Sequence, residues 1–279
     1  FRGLLPADLY SFGDLDQALT ASMSSNLPFS IGLNGVKPNP REYCTEVRND
    51  FKKSDTPEID PAKVQSLLRR GANIRIQRFA TICPKVQEIC VDVESWLRCS
   101  TTANGYFSYG LQRGLPFHWD SHDILVVQLI GAKHWKMYEP TVEMALRVNR
   151  GQAAPPSRDK LHSEIELRAG DVYYVPRGWW HDVMPLPGVK TLHVAIGLHP
   201  PNAFEFVSWA LNRELEVNAD LRRSLRRDSD GNDIRQLMAM LADAFDSDDV
   251  RSQFWKEYDA SIRPIGRFNI RQDAEPDDR

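Results

Sequence analysis

Apolar residues change their spacing along the chain, and each change marks an element. Asp14–Met23 and Ile59–Arg70 carry short helical patterns, the second closed by Gly71 just past its end. Asn73-Ile-Arg-Ile-Gln-Arg-Phe79 alternates and predicts a strand. Pro84 opens an amphipathic helix on which Val86, Ile89, Cys90, Val93, Trp96 and Leu97 recur on one side.

From Asn104 to Leu198 the period shortens. Asn104–Tyr109, Ile124–Ile130, Lys133–Tyr138, Asp171–Val175 and Thr191–Leu198 are short runs separated by Gly and Pro turns, which predicts an all-β sandwich or barrel. Gly151–Lys160, with Pro155-Pro156, predicts a surface loop between strands. Beyond Pro200-Pro201 helical spacing returns. Phe204, Val207, Trp209, Leu211 and Leu215 mark one helix; Ile234, Leu237, Met238, Leu241 and Phe245 mark another. The expected division is 1–200, with a β core over about 70–200, a helical region over 201–264, and a polar tail over 265–279 that is too polar to fold alone.

Composition narrows the class. With 279 residues, 42% of them hydrophobic and 26% charged, the chain has the make-up of a globular protein with a sizeable core. A net charge of −3 gives no general attraction to nucleic acid or to an anionic membrane. No apolar run approaches the roughly 20 residues that span a bilayer. Cys44, Cys83, Cys90 and Cys99 lack C-x-x-C spacing, so reduced structural thiols and a cytoplasmic location are expected. No secretory signal is visible, although the chain begins at Phe1 rather than Met and a lost leader stays open.

The chemistry gathers at two places. Pro116-Phe117-His118-Trp119-Asp120 holds a histidine and an aspartate two residues apart, which on a strand leave the same face. Pro176-Arg177-Gly178-Trp179-Trp180-His181 supplies a second histidine about sixty residues later, after a turn. Two imidazoles and one carboxylate with open positions opposite form the facial triad of non-haem Fe(II) oxygenases. Lys133 lies on a strand face with Trp135 and Met137, while His134 faces away. A lysine on such a face either sits at a barrel mouth or needs an anionic partner, since an unpaired buried ammonium is costly, and the carboxylate of a bound 2-oxo acid would supply one. Asn104 and Tyr106 share a face two strands earlier and offer hydrogen bonds to that carboxylate.

Asn104-x-Tyr106, Gly114-Leu-Pro-x-His118-x-Asp120, Gln128-Leu-x-Gly131-x-Lys133-x-Trp135 and Gly170-Asp-x-x-Tyr174-x-Pro176-x-Gly178-x-x-His181 together resemble the JmjC-type cupin oxygenases, and among them the ribosomal oxygenases. The resemblance covers roughly residues 70–200. It implies a mainly β fold with α elements: a double-stranded β-helix with N-terminal helices outside it and a C-terminal helical bundle. It implies His118, Asp120 and His181 as ligands of catalytic Fe(II), and Lys133, with Tyr106 and Asn104, as the pocket for 2-oxoglutarate. It also implies O2 as co-reactant and hydroxylation of an unactivated C–H bond. The resemblance makes a protein or peptide side chain the first substrate class and a homodimer through the C-terminal helices the expected assembly.

This sequence departs from the pattern twice. The strand after the metal histidine is His193-Val-Ala195-Ile-Gly197, where the family often places hydroxyl residues. Beyond Arg263-Pro264 only about fifteen residues remain, too few for the winged-helix domain of the ribosomal oxygenases.

Other readings stay beside this one. A free amino acid or a biosynthetic small molecule would suit the same chemistry, and a non-catalytic metal-binding cupin would keep the triad alone. Lysine demethylation through N-methyl hydroxylation ranks lower, because no aromatic cage is evident. A zinc hydrolase leaves Lys133 unexplained and lacks a general-base glutamate beside the ligands. His122 continues the series from His118 and Asp120 and is the main decoy. Of Trp179 and Trp180, one is expected in the core and the other as an apolar wall beside the iron. Arg177, Trp180 and His193 are the candidate substrate contacts. Arg222, Arg223, Arg226 and Arg227 form a solvated helix face rather than a nucleic-acid site.

Overall fold

The structure, a computed structural model, describes residues 1–262 apart from 25–28, 34, 50–53, 111, 225–226 and 228–230. The tail over 265–279 and Arg226 therefore lie outside the described residues. Two compact units form: Phe1–Val93 with Thr101–His199, and Glu94–Ser100 with the segment from Pro200 onward.

Eleven strands occur among the described residues: β1 (Phe29–Gly32), β2 (Cys44–Asn49), β3 (Ser54–Ile59), β4 (Asn73–Ile76), β5 (Ser100–Ser108), β6 (Asp123–Ile130), β7 (Ala132–Tyr138), β8 (Ser163–Arg168), β9 (Val172–Val175), β10 (Trp180–Pro185) and β11 (Thr191–His199). They build a six-stranded sheet in the order β1-β4-β5-β11-β6-β9, a three-stranded sheet β10-β7-β8 and the hairpin β2-β3. The strand predicted over Asn73–Phe79 stops at Ile76, because Arg78 turns left-handed (φ 54°) and Phe79–Thr81 coils into a 3₁₀ turn.

The larger and smaller sheets face each other across one core. Ile124, Val126 and Val175 come from the larger sheet, and Trp135, Met137 and Leu167 from the smaller. These are the inward positions of alternating strands, the packing expected of a double-stranded β-helix. Alternation is clearest on β7, where Lys133, Trp135 and Met137 are buried and His134 and Lys136 are not. On β11 the register against β6 slips between Leu192 and His193. A slip of this kind re-aims a side chain locally, and both Leu192 and His193 end up buried.

Three helices precede β5: α1 (Phe12–Ser24), α2 (Pro61–Arg69) and α3 (Pro84–Leu97). Asp60 caps α2, its Oδ1 accepting from the amides of Ala62 (2.9 Å) and Lys63 (3.2 Å), with Pro61 at the first helical position where its missing N–H costs nothing. On α3, Val86 and Cys90 are buried as the apolar spacing predicts, whereas Trp96 and Leu97 are exposed.

The second unit contains α4 (Ala203–Val217), α5 (Asn232–Phe245) and α6 (Asp248–Ser261). Asn202 and Glu205 close a reciprocal capping box at the start of α4. Phe254 of α6 meets Phe206 and Trp209 of α4 at ring distances of 5.1 and 5.3 Å. Among the described residues no helix is long and apolar enough to cross a membrane.

Leu167→Ala would empty a fully enclosed position in the core cluster that includes Trp135 and Met137. The expected cost is about 2–5 kcal/mol of unfolding free energy, read as a lower denaturant midpoint with an unchanged m-value.

Candidate metal centre

The segment between β5 and β6 supplies two of the three predicted ligands without being a strand. His118 forms a single antiparallel bridge with His181, the first inward residue of β10. The His181 amide donates to the His118 carbonyl at 2.8 Å, and the reverse bond is 3.3 Å. The expectation of a regular strand through His118 and Asp120 is thus corrected to one bridging residue followed by free chain. Asp120 is held from the other side, its carbonyl accepting from the Gly178 amide at 2.9 Å. Gly178 sits at φ +82°, and a Cβ there would lie 3.2 Å from the Val142 carbonyl, so the turn requires glycine.

These backbone contacts converge the side chains. One ligand atom from each of His118, Asp120 and His181 lies within 4.8 Å of the others. The Asp120 carboxylate is 3.8 Å from His118 Nε2 and 3.6 Å from His181 Nε2. Each imidazole turns Nδ1 to a backbone carbonyl, His118 to Pro116 (2.7 Å) and His181 to Trp179 (3.1 Å). Donation from Nδ1 leaves the Nε2 lone pairs directed at the shared centre, the tautomer that a metal needs. Burial, reinforced by the neighbouring His118, brings His181 down to about 4 and keeps it neutral at ordinary pH. Two imidazoles and one carboxylate on one side of a cavity suit an octahedral divalent transition metal with open positions opposite.

That cavity has a volume of about 250 Å³. Lys133 lies in its wall, fully enclosed, with Nζ 2.8 Å from His193 Nδ1 and 3.5 Å from the Tyr106 carbonyl. His193 stacks on Tyr106 with ring centres 4.9 Å apart and 11° between planes. Burial lowers the Lys133 ammonium to about 7 and holds His193 well below its usual range. No carboxylate pairs with Lys133 among the described residues.

The structure therefore gathers His118, Asp120, His181, Lys133, Tyr106 and His193 around one space. It leaves three sequence candidates outside that lining. Asn104 shares a face with Tyr106 but lies two residues on, about 6–7 Å further along the strand, past the stretch paired with β4. Arg177 is engaged through its amide, which donates to Asp123 Oδ1 at 3.0 Å. Trp180 packs with Phe117 and Tyr138 and donates to Thr141 Oγ1 at 3.1 Å. Neither Trp179 nor Trp180 forms the expected apolar wall; Trp135 does, 5.8 Å from the His181 ring. His122 is no ligand in this cluster, and its ring lies 5.1 Å from that of His199. His134 pairs with Glu164 at 2.7 Å on the outer face.

Some wall residues escaped the sequence reading. Ile31, Val36 and Lys37 come from β1 and the turn after it, and Arg75 of β4 lies 5.8 Å over the Tyr106 ring. Arg75 falls on the polar side of the Asn73-Ile-Arg-Ile alternation, the only cue available for it.

A double-stranded β-helix holding two histidines and a carboxylate at one end of an inner cavity defines a metal-binding cupin. The JmjC domain family matches residues 75–206 of this chain. Among curated proteins it is similar to the bifunctional lysine-specific demethylase and histidyl-hydroxylase NO66 of Aedes aegypti, 30% identical over 201 residues that make up 69% of this chain and 32% of that protein. NO66 of Culex quinquefasciatus is 27% identical over 231 residues, 80% of this chain and 34% of the relative. The chain thus spans about a third of the length of these relatives. Among solved structures, the ribosomal oxygenase YcfD of Escherichia coli with cobalt and 2-oxoglutarate superposes with a TM-score of 0.57 at 16% identity, covering 92% of this chain and 65% of that one. The likeness establishes a shared fold.

His118→Ala, Asp120→Ala and His181→Ala should each abolish tight Co2+ binding in calorimetric titration while the far-ultraviolet dichroism is kept. His122→Ala should bind as the unaltered protein does; loss of binding there would show that the ligand set is misassigned.

Proposed function

We propose that this protein is an Fe(II)- and 2-oxoglutarate-dependent oxygenase that hydroxylates a side chain of a protein or peptide. One observation carries the reading: a triad of His118, Asp120 and His181 shares its cavity with an enclosed lysine that has no carboxylate partner. A metal cupin without 2-oxo acid chemistry would have no use for that cation. The family match and the histidyl-hydroxylase relatives support the same reading.

His118, Asp120 and His181 would hold the iron from one side and leave the cavity side open. When bound, iron with 2-oxoglutarate and O2 supplies an oxidant for an unactivated C–H bond, with succinate and CO2 as the other products. Lys133 receives the distal carboxylate of 2-oxoglutarate, with the Tyr106 and His193 rings as the walls beside it. Trp135 closes the apolar side against water, which strengthens the charge contact at Lys133. No side chain acts as nucleophile. A histidine side chain is the first target to test, because the relatives' name includes that activity; a free amino acid or other small molecule is the second reading.

The assembly we propose is a homodimer through the C-terminal helices. Phe204, Val207, Leu211 and Leu215 recur at helical spacing along α4, and all are exposed. A continuous apolar stripe of this kind on a helix marks an interface. Light scattering at micromolar concentration should give a mass near twice 31.9 kDa, and a monomer mass would refute the dimer.

Incubation with Fe(II), 2-oxoglutarate and pools of histidine-containing peptides should yield succinate and a product heavier by one oxygen. Succinate formed only with small-molecule pools would move the substrate to the second reading, and none with any pool would leave a binding module. Lys133→Ala should weaken 2-oxoglutarate binding about 10- to 100-fold, the equivalent of a charge-assisted contact of about 1.5–3 kcal/mol.

The same contact has a pH signature. With the free ammonium at about 7, the protein loses that proton as pH rises, whereas the bound carboxylate favours the charged form. Affinity should therefore be greatest below pH 7 and fall by up to about tenfold per pH unit above it. In Lys133→Arg, where the charge persists, that fall should disappear.

A further inference from the structure

Asp182, the residue after the ligand His181, faces away from the metal centre and is nonetheless buried. Alternation along β10 places successive side chains on opposite faces, so its carboxylate does not meet the triad. Two arginines from separate segments converge on it. Arg113, in the connection between β5 and β6, reaches its Oδ2 at 3.0 Å; Arg158, in the loop between β7 and β8, reaches the same oxygen at 2.6 Å. The second oxygen, Oδ1, is buried with no hydrogen-bond partner among the described residues. A buried, half-satisfied carboxylate is costly.

The arginines lead back to the metal ligands. Arg113 lies five residues before His118, on a segment otherwise tied by Asn73 Nδ2, which donates to the Gln112 and Arg113 carbonyls at 3.4 and 3.3 Å. The Arg158 guanidinium covers the Phe117 ring at 3.9 Å, one residue before His118. Phe117 in turn packs on Tyr138 and Trp180. Thus the chain carrying His118 and Asp120, which has no strand of its own, is gripped at Arg113 and at Phe117 from a single anchor beside His181.

We propose that Asp182 is a positioning residue for the metal centre: through Arg113 and Arg158 it holds the His118–Asp120 segment against the strand of His181. This rests on the metal reading above. With the carboxylate buried and both arginines half exposed, losing the pairs also costs stability, and the test separates that from the metal. The consequence of losing the clamp falls on ligand geometry, because Arg113 and Phe117 then lose their common attachment.

The test is Co2+ titration of the metal-free full chain, followed by the visible absorption of the bound ion, which reports coordination geometry. Asp182→Ala should weaken Co2+ binding about 10- to 100-fold, the range seen when groups supporting metal ligands are removed, and shift the absorption bands. Asp182→Glu should recover most of the affinity, and Arg113→Ala and Arg158→Ala, each of which leaves the buried carboxylate one counter-charge, should each show part of the loss. Unchanged affinity and bands in Asp182→Ala would overturn the inference, even with a lowered melting temperature, since Asp182 would then serve stability alone. Should Asp182→Ala fail to fold, the two single arginine variants decide in the same way. An unaltered protein that takes up no Co2+ sinks the metal reading itself, whereas a binding one with an indifferent Asp182→Ala sinks only this step.

Discussion

Two backbone hydrogen bonds between His118 and His181 hold this site together. They join a segment without regular structure to β10, whose position is set by pairing with β7. His181 lies opposite Met137 in that pairing, so the ligand strand is fixed to one of the most enclosed residues of the core. Packing rigidity passes from the interior to the metal centre through a few peptide groups. The bonds from each Nδ1 to a neighbouring carbonyl then choose the tautomer and the ring orientation together.

Charge is distributed along the cavity in a way that separates two tasks. At the triad, a single carboxylate faces two imidazoles, of which the enclosed His181 is held neutral by burial and by its neighbour. Further along the wall, Lys133 and His193 stand 2.8 Å apart with no counter-ion. In a low dielectric two basic groups at this distance cannot both be charged, so one must be the acceptor until an anion arrives. On the function proposed above, a dianion with a carboxylate at one end and a chelating group at the other would meet both regions.

The periodicities of the chain carry much of this. Alternation over Lys133–Tyr138 is enough by itself to turn Lys133 inward and His134 outward, and the Gly and Pro turns delimit the strands. The H-x-D pair with a histidine after Pro-x-Gly marks the candidate ligands because each is defined by a few adjacent residues. Helical spacing over 203–217 and 232–245 likewise marks α4 and α5. What stays hidden depends on partners distant in sequence. Alternation could not show that 116–120 forms a bridge and no strand, since the bond that decides it comes from β10. Nor could it separate Tyr106 from Asn104, which share a face but not a cavity, or set Trp180 aside for Thr141. Arg75, Ile31 and the convergence of Arg113 and Arg158 on Asp182 exist only once strands and loops are laid side by side. A local period fixes which way a side chain points; what it meets there is decided by long-range pairing and packing, and that is a property of the folded chain.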